Sequence, residues 1–198
     1  MKIYGDVFSG NCYKIKLLTA LLDLPHEWVP VDILARETTN PDFLRRNPVG
    51  QIPLLELDDG CYLSESNAIL NYLAQGSPLI PGDPFDHARM LQWQFFEQYS
   101  HEPYIAVARF IKRYLGLPQE RRADFESRQQ GGYKALSVME TQLKQTPFVA
   151  GMVFTLADIS LYGYTHVAGE GGFDLAGFRG INTWLERIES LPGYIPME

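Results

Sequence analysis

Residues 47–66 read Asn-Pro-Val-Gly-Gln-Ile-Pro-Leu-Leu-Glu-Leu-Asp-Asp-Gly-Cys-Tyr-Leu-Ser-Glu-Ser. The stretch spells strand, tight turn, strand and helix start. Ile52 to Leu57 is apolar apart from Pro53 and Glu56. Asp59-Gly60 supplies the turn, because glycine takes positive φ without steric cost. Cys61-Tyr62-Leu63 returns as a short antiparallel strand. Ser64-Glu65-Ser66 precedes an apolar-periodic run and opens a helix. Pro53 cannot donate to a ladder, so it belongs at a strand start, an edge or a bulge. An Ile-Pro pair in that place is expected to be cis, an isomer that proline tolerates. The Ile52 N–H and C=O then stay available to pair with a peptide-like ligand as another strand would.

Upstream of this hairpin, Lys2 to Asp6 is a short strand and Ser9-Gly10-Asn11 has turn chemistry. A helix follows to about Leu24, capped by Ser9 or Asn11. Its face carries Cys12, Ile15, Leu18 and Leu22, widened by Leu17, Ala20 and Leu21, and so is packed on more than one side. Pro25 ends it, and Glu27 to Val31 is a second strand. Strand, helix, strand implies a right-handed parallel crossover. Asp42 to Arg46 is a short helix. Beyond the hairpin, Ile69, Tyr72 and Leu73 are expected to form the buried stripe of the next helix.

Leu79 to Asp83 is a linker. Asp83-Pro84 starts a helix with a carboxylate cap and a proline in its first turn. The aromatic-rich run from Asp86 to about Leu115 is helical, broken or kinked at Pro103. Pro118 to Gln145 is a long helix weakened at Gly131-Gly132. Thr155-Leu-Ala-Asp158 has capping-box spacing. Ile181, Trp184, Leu185 and Ile188 line a last amphipathic helix. Gly169-Glu-Gly-Gly172 lacks the lysine and preceding strand of a phosphate loop and reads as a flexible turn.

The 198 residues carry a net charge of −7 and 45% hydrophobic residues, a globular composition that speaks against nucleic acid as a partner. There is no apolar run of transmembrane length and no apolar leader at the amino terminus. Cys12 and Cys61 make no disulfide framework, which fits a cytoplasmic setting. The histidines and cysteines lack metal-ligand spacing.

Pro-x-Gly-Gln-Ile-Pro-Leu-Leu followed by Leu-Ser-Glu-Ser-x-Ala-Ile closely resembles the glutathione-binding half of the cytosolic glutathione S-transferases, and Thr155-x-x-Asp158 resembles a motif of their helical half. The resemblance, of bacterial type, implies an α/β thioredoxin-like domain over 1–77 and an all-α domain over 84–198 that lines the electrophile pocket and the dimer interface. It implies an enzyme that binds glutathione, stabilises its thiolate and conjugates it to an electrophilic small molecule in detoxification. The implied protein is a cytoplasmic homodimer with no metal or organic cofactor, glutathione being the co-substrate. Glutathione-dependent reduction of a disulfide or peroxide, or a non-catalytic interaction protein on the same fold, stand as alternatives.

On this resemblance Glu65 and Ser66 hold the γ-glutamyl end of glutathione, Ile52 and Pro53 its backbone, and Gln51 the glycyl end. The residues suit this independently: a helix start favours a carboxylate, and Glu65 suits an ammonium. The plainer reading of the pair is a capped helix with a solvated Glu65. Ser9 resembles the catalytic serine of the serine-type classes, and Asn11 the asparagine of some bacterial and fungal relatives. Either is a donor at a helix start, where a thiolate is favoured. Ser9 is expected nearest the thiol, with either Ser9 or Asn11 at the cap. The plainer reading of both is a turn and a cap. Tyr4 points to the opposite face and is rejected as a donor. Ser9-x-x-Cys12 also has the spacing of thioredoxin-type redox cysteines, with Cys12 favoured as inert core. Tyr104 and Phe110 are candidates for the second-substrate pocket or, equally, core. His101 is read as structural.

Overall fold

The computed structural model describes residues 1–197. The chain forms two compact units: Met1–Ser77 joined by the segment from Pro192 onward, and Pro78–Leu191.

The first unit is a four-stranded sheet with helices. Its elements are β1 (Lys2–Gly5), α1 (Gly10–Leu21), β2 (Glu27–Pro30), α2 (Pro41–Arg46), β3 (Leu54–Glu56), β4 (Tyr62–Ser64) and α3 (Ser66–Leu73). The strand order is β2-β1-β3-β4. β1 and β2 are parallel, as the strand-helix-strand pattern requires, and β3 lies antiparallel to both β1 and β4. This is the α/β layout expected for 1–77. α1 and α3 pack together. Ile3, Cys12, Ile15, Leu17, Leu18, Leu54, Leu55, Ile69 and Leu70 are completely buried, so the hairpin and both helices share one core. The stripe expected on α3 is displaced: Leu70 is buried, whereas Tyr72 is half exposed. The tail from Pro192, expected in the helical domain, belongs with this unit. The Tyr13 hydroxyl donates to the Ile195 carbonyl at 2.7 Å. Gly193 at φ 84 passes so close that an added Cβ would stand 3.2 Å from the Ala20 carbonyl oxygen.

The second unit holds α4 (Pro84–Phe96), α5 (Glu102–Arg109), α6 (Arg122–Leu143), α7 (Leu156–Thr165) and α8 (Arg179–Glu189). Asp83 caps α4, accepting from the Phe85 and Asp86 N–H groups at 2.9 and 3.0 Å, with Pro84 in the first turn. The helical run expected over 86–115, broken or kinked at Pro103, carries two π-helical turns, Glu97–His101 and Phe110–Tyr114. Pro103 sits in the first turn of α5, directly after the first π-helical turn. The glycines of α6 mark close approach rather than weakness. An added Cβ on Gly131 would meet the Tyr104 ring at 2.2 Å, and on Gly132 the Phe173 ring at 2.3 Å. The turn at Gly169–Gly172, expected to be flexible, is packed: Glu170 accepts from Arg109 Nε at 2.8 Å, and Gly171 is buried against α5.

The capping box opens α7 as read. Asp158 does more than cap. It is fully buried and accepts from the Thr155 N–H (2.9 Å), the Thr155 hydroxyl (3.2 Å), the Val149 N–H (3.0 Å) and Trp184 Nε1 on α8 (2.9 Å). Burial pushes its carboxyl up to about 6 against the pull of those donors. On α8, Ile181, Trp184 and Ile188 form the buried face. No helix among the described residues is long and apolar enough to cross a membrane.

Candidate functional site

The sheet register brings three loops to one end of the first unit. β1 ends at Gly5, and its neighbour Tyr4 pairs with Leu54, the first residue of β3. Leu54 also pairs with Ser64, the last residue of β4. Ile52-Pro53, Glu65-Ser66 and the 6–9 loop therefore all flank the carboxyl end of β1, the edge of a parallel pair where α/β sheets hold ligands.

The first loop delivers the start of α1. Ser9, extended at φ −74 and ψ 124, is the N-cap; its hydroxyl oxygen accepts from the Cys12 N–H at a long 3.4 Å. Of the two cap candidates, Ser9 is the one that caps α1. Asn11 is the second residue of α1, and its side chain joins a network that the sequence reading missed. Lys14, with 0% of its surface exposed, donates from Nζ to Asn11 Oδ1 at 2.7 Å. It also reaches Ser66 Oγ at 3.4 Å, and the Ser66 hydroxyl donates to Asn11 Oδ1 at 3.2 Å. An ammonium has only donors, so the Asn11 amide must turn its oxygen toward Lys14 and its nitrogen to the other side. A lysine is almost never fully buried without partners. On the sequence its only signal is position: it follows Cys12 and Tyr13 onto a helix side that is apolar on both flanks.

Ser66, whose hydroxyl donates to Asn11 Oδ1, is the first residue of α3. Glu65 precedes it at φ 70 and ψ 111 with its side chain exposed and making no cap bond. A left-handed φ on a glutamate is strained, and such strain gathers at binding and catalytic sites. The Glu65 side chain therefore takes no part in capping α3.

The Ile52-Pro53 bond is cis, as expected. Among the described residues no backbone group of the fold pairs with the Ile52 N–H or C=O. Ile52 packs its side chain on the cluster of Tyr4, Val31, Phe43 and Leu54. Buried Asn47 holds the approach: Nδ2 donates to the Gln51 carbonyl at 2.8 Å, and Oδ1 accepts from the Val49 N–H at 3.2 Å. Gln51 is exposed beside it.

Tyr4 and Cys12 fall outside this constellation. The Tyr4 hydroxyl donates to Glu56 at 2.5 Å, and burial together with that carboxylate pushes it up to about 12. A side chain at position 5 has no room either, since an added Cβ would lie 2.8 Å from Trp28 and 2.9 Å from Cys12 Sγ. Cys12 is wholly buried, and burial pushes its thiol up to about 12, the state of an inert core thiol.

Within the helical unit, Tyr104 lines a cleft of about 200 Å³ with Phe96, Tyr99, Ser100, Gly131 and Lys134. Phe110 does not line that cleft; it stacks on Tyr114 with ring centres 5.3 Å apart. His101 is buried with Nε2 2.9 Å from the Thr165 hydroxyl, a core position.

A strand order with one parallel pair and a cis-proline hairpin, followed by an all-helical unit, defines a class. Residues 1–75 match the glutathione S-transferase N-terminal domain and residues 88–192 the C-terminal domain. A crystal structure of a glutathione S-transferase from Pseudomonas fluorescens is 59% identical, with a TM-score of 0.97 over 99% of this chain and 98% of that one. A glutathione S-transferase of Hyoscyamus muticus is 33% identical over 80% of this chain and 78% of its own length. Maleylacetoacetate isomerase from Methylobacterium extorquens, crystallised with malonate and glutathione bound, is 28% identical with a TM-score of 0.83, covering 98% of this chain and 94% of that one. The chain belongs to the glutathione S-transferase family.

Proposed function

We propose that this protein is a glutathione transferase that binds glutathione at the carboxyl end of β1 and conjugates its thiolate to an electrophilic small molecule. The observation that carries the reading is the Lys14–Asn11–Ser66 network, which ties the start of α1 to the start of α3 at the sheet end flanked by the Ile52-Pro53 loop. In this reading the α-carboxylate of the γ-glutamyl group meets the first N–H groups of α3. Glu65 takes its ammonium. The unpaired Ile52 N–H and C=O receive the cysteinyl unit as a strand. Gln51 reaches the glycyl end. The sulfur then falls at the start of α1, where Ser9 and Asn11 donate to it and the helix end favours its negative charge.

A free thiol, with a pKa of about 8.5, is only a few per cent ionised at neutrality. One charge-assisted hydrogen bond of roughly 1.5–3 kcal/mol lowers it by one to two units. The residues at the start of α1 are sufficient for that task without a metal or organic cofactor. The exposed Phe95 and Tyr99 offer an apolar surface for a homodimer, and the cleft at Tyr104 is a place for an apolar electrophile. The two free cysteines are compatible with a cytoplasmic setting.

Isothermal calorimetry with glutathione, followed by a conjugation assay with aryl halides, tests the reading. Saturable binding and thiol consumption are expected. Absence of binding at millimolar glutathione would overturn it. Turnover of peroxides or mixed disulfides without conjugation would favour the reductase alternative.

A further inference from the structure

We propose that Lys14 is a positioning residue for thiol activation, its ammonium fixing the Asn11 amide so that the nitrogen of Asn11 is the end presented to the sulfur. The inference rests on the reading above that the start of α1 receives the glutathione thiol. Three observations carry it. Lys14 is wholly buried, at a helical position that three residues separate from Asn11 and that brings both side chains to one side. Its contact with Asn11 Oδ1, at 2.7 Å, is the shortest in the network. Ser66 closes the triangle, accepting from Lys14 and donating to the same Oδ1.

The logic is one of hydrogen-bond inventory. An asparagine amide presents an acceptor on one edge and two donors on the other, and nothing in its shape chooses between them. A thiolate needs the donor edge. A neutral neighbour with both functions, such as serine, would accept either orientation. An ammonium accepts none, so it forbids the flipped amide. Ser66 donates to the same oxygen at 3.2 Å. The positive charge acts in the same direction by polarising the amide, which strengthens its N–H donors. Asp6, Cys12 and Tyr13 are titratable groups near the start of α1; burial holds the Cys12 thiol high, so a thiolate that depends on added glutathione belongs to the substrate. Glu65 stands at the neighbouring start of α3.

The test follows the thiolate absorbance of enzyme-bound glutathione across pH, with affinity measured in parallel by calorimetry. Lys14→Met removes the ammonium and keeps the length of the side chain. Its apparent thiol pKa should rise by about one unit, leaving about tenfold less thiolate at a fixed pH below that value. Glutathione affinity should change far less. Lys14→Gln keeps a donor that can hold the Asn11 oxygen and should fall between wild type and Lys14→Met; should the methionine variant not fold, it carries the test. The double variant Lys14→Met/Asn11→Ala should titrate like Asn11→Ala alone, because Lys14 acts through Asn11. A profile for Lys14→Met or Lys14→Gln that superimposes on wild type overturns the inference. Additive shifts in the double variant overturn it as well, since they place Lys14 in direct action on the sulfur. A wild-type protein with no glutathione-dependent thiolate signal instead overturns the glutathione reading on which the inference stands.

Discussion

Removing Asp158 should destabilise the helical unit by an amount that depends on pH in an unusual direction. In Asp158→Ala the N–H groups of Val149, Thr155 and Trp184 lose their acceptor. All three residues are essentially buried, so water cannot replace it without a rearrangement. Each orphaned donor costs roughly 1–3 kcal/mol, giving a loss of about 5 kcal/mol in all. Against this stands the carboxylate's own burial. Its carboxyl sits at about 6 when folded and at about 3.9 in an unfolded chain. The folded value is the higher one, so the native state holds the proton longer. The stability tied to Asp158 is fully present below about pH 4 and falls as pH rises to about 6, by about 3 kcal/mol. Alanine carries no such penalty. The cost of Asp158→Ala should therefore be about 5 kcal/mol at pH 4 and about 2 kcal/mol at pH 7. Urea unfolding followed by tryptophan fluorescence at both pH values measures it, each wild-type curve serving as its own reference for the carboxylates elsewhere. A cost that is equal at the two pH values, or greater at neutrality, would refute the reasoning.

Gly131→Ala should destabilise by about 1–3 kcal/mol, read from thermal melts, because its Cβ would stand 2.2 Å from the Tyr104 ring; an unchanged Tm would mean that ring yields freely. Glu65→Gly should raise stability by about 1 kcal/mol by relieving the strain at φ 70, yet weaken glutathione binding; a less stable variant would show that Glu65 is not strained. Ser9→Ala should cost about 0.5–1 kcal/mol as a lost, rather long cap, whereas Asn11→Ala should shift the pH–rate profile more than Ser9→Ala does. If only Ser9→Ala moves the profile, Ser9 is the donor and the Asn11 assignment fails.

Much of this fold is written in local chemistry. Asp59-Gly60, Asp83-Pro84 and Thr155-x-x-Asp158 are short-range signals, and each sits in the turn, cap or box that its residue types demand. Ile52-Pro53 was legible because proline at a strand entry has few other uses. What was hidden depends on neighbours distant in sequence. Lys14 reads as a solvated lysine until α3 is packed on α1. Tyr72 reads as core until the helix is turned so that Leu70 takes that place. The π-helical turns leave no compositional trace, so 86–115 reads as one helix with a kink. Gly131 reads as a weak point because the ring that needs its missing Cβ comes from residue 104. The strain at Glu65 is equally invisible, since no sequence rule assigns a left-handed φ to glutamate.

The clasp between Tyr13 and Ile195 makes the first unit discontinuous in the gene. In terms of connectivity the helical unit is an insert, entered at residue 78 and left at 191. A fragment cut at residue 77 would contain every strand and yet expose Tyr13, whose surface is 1% accessible in the whole chain. Loss of the last few residues would spare all the helices of the insert and weaken α1 instead, the element that carries Asn11 and Lys14. Shortening or tagging the carboxyl terminus is therefore an operation on the thioredoxin-like unit, and its effects should surface there first.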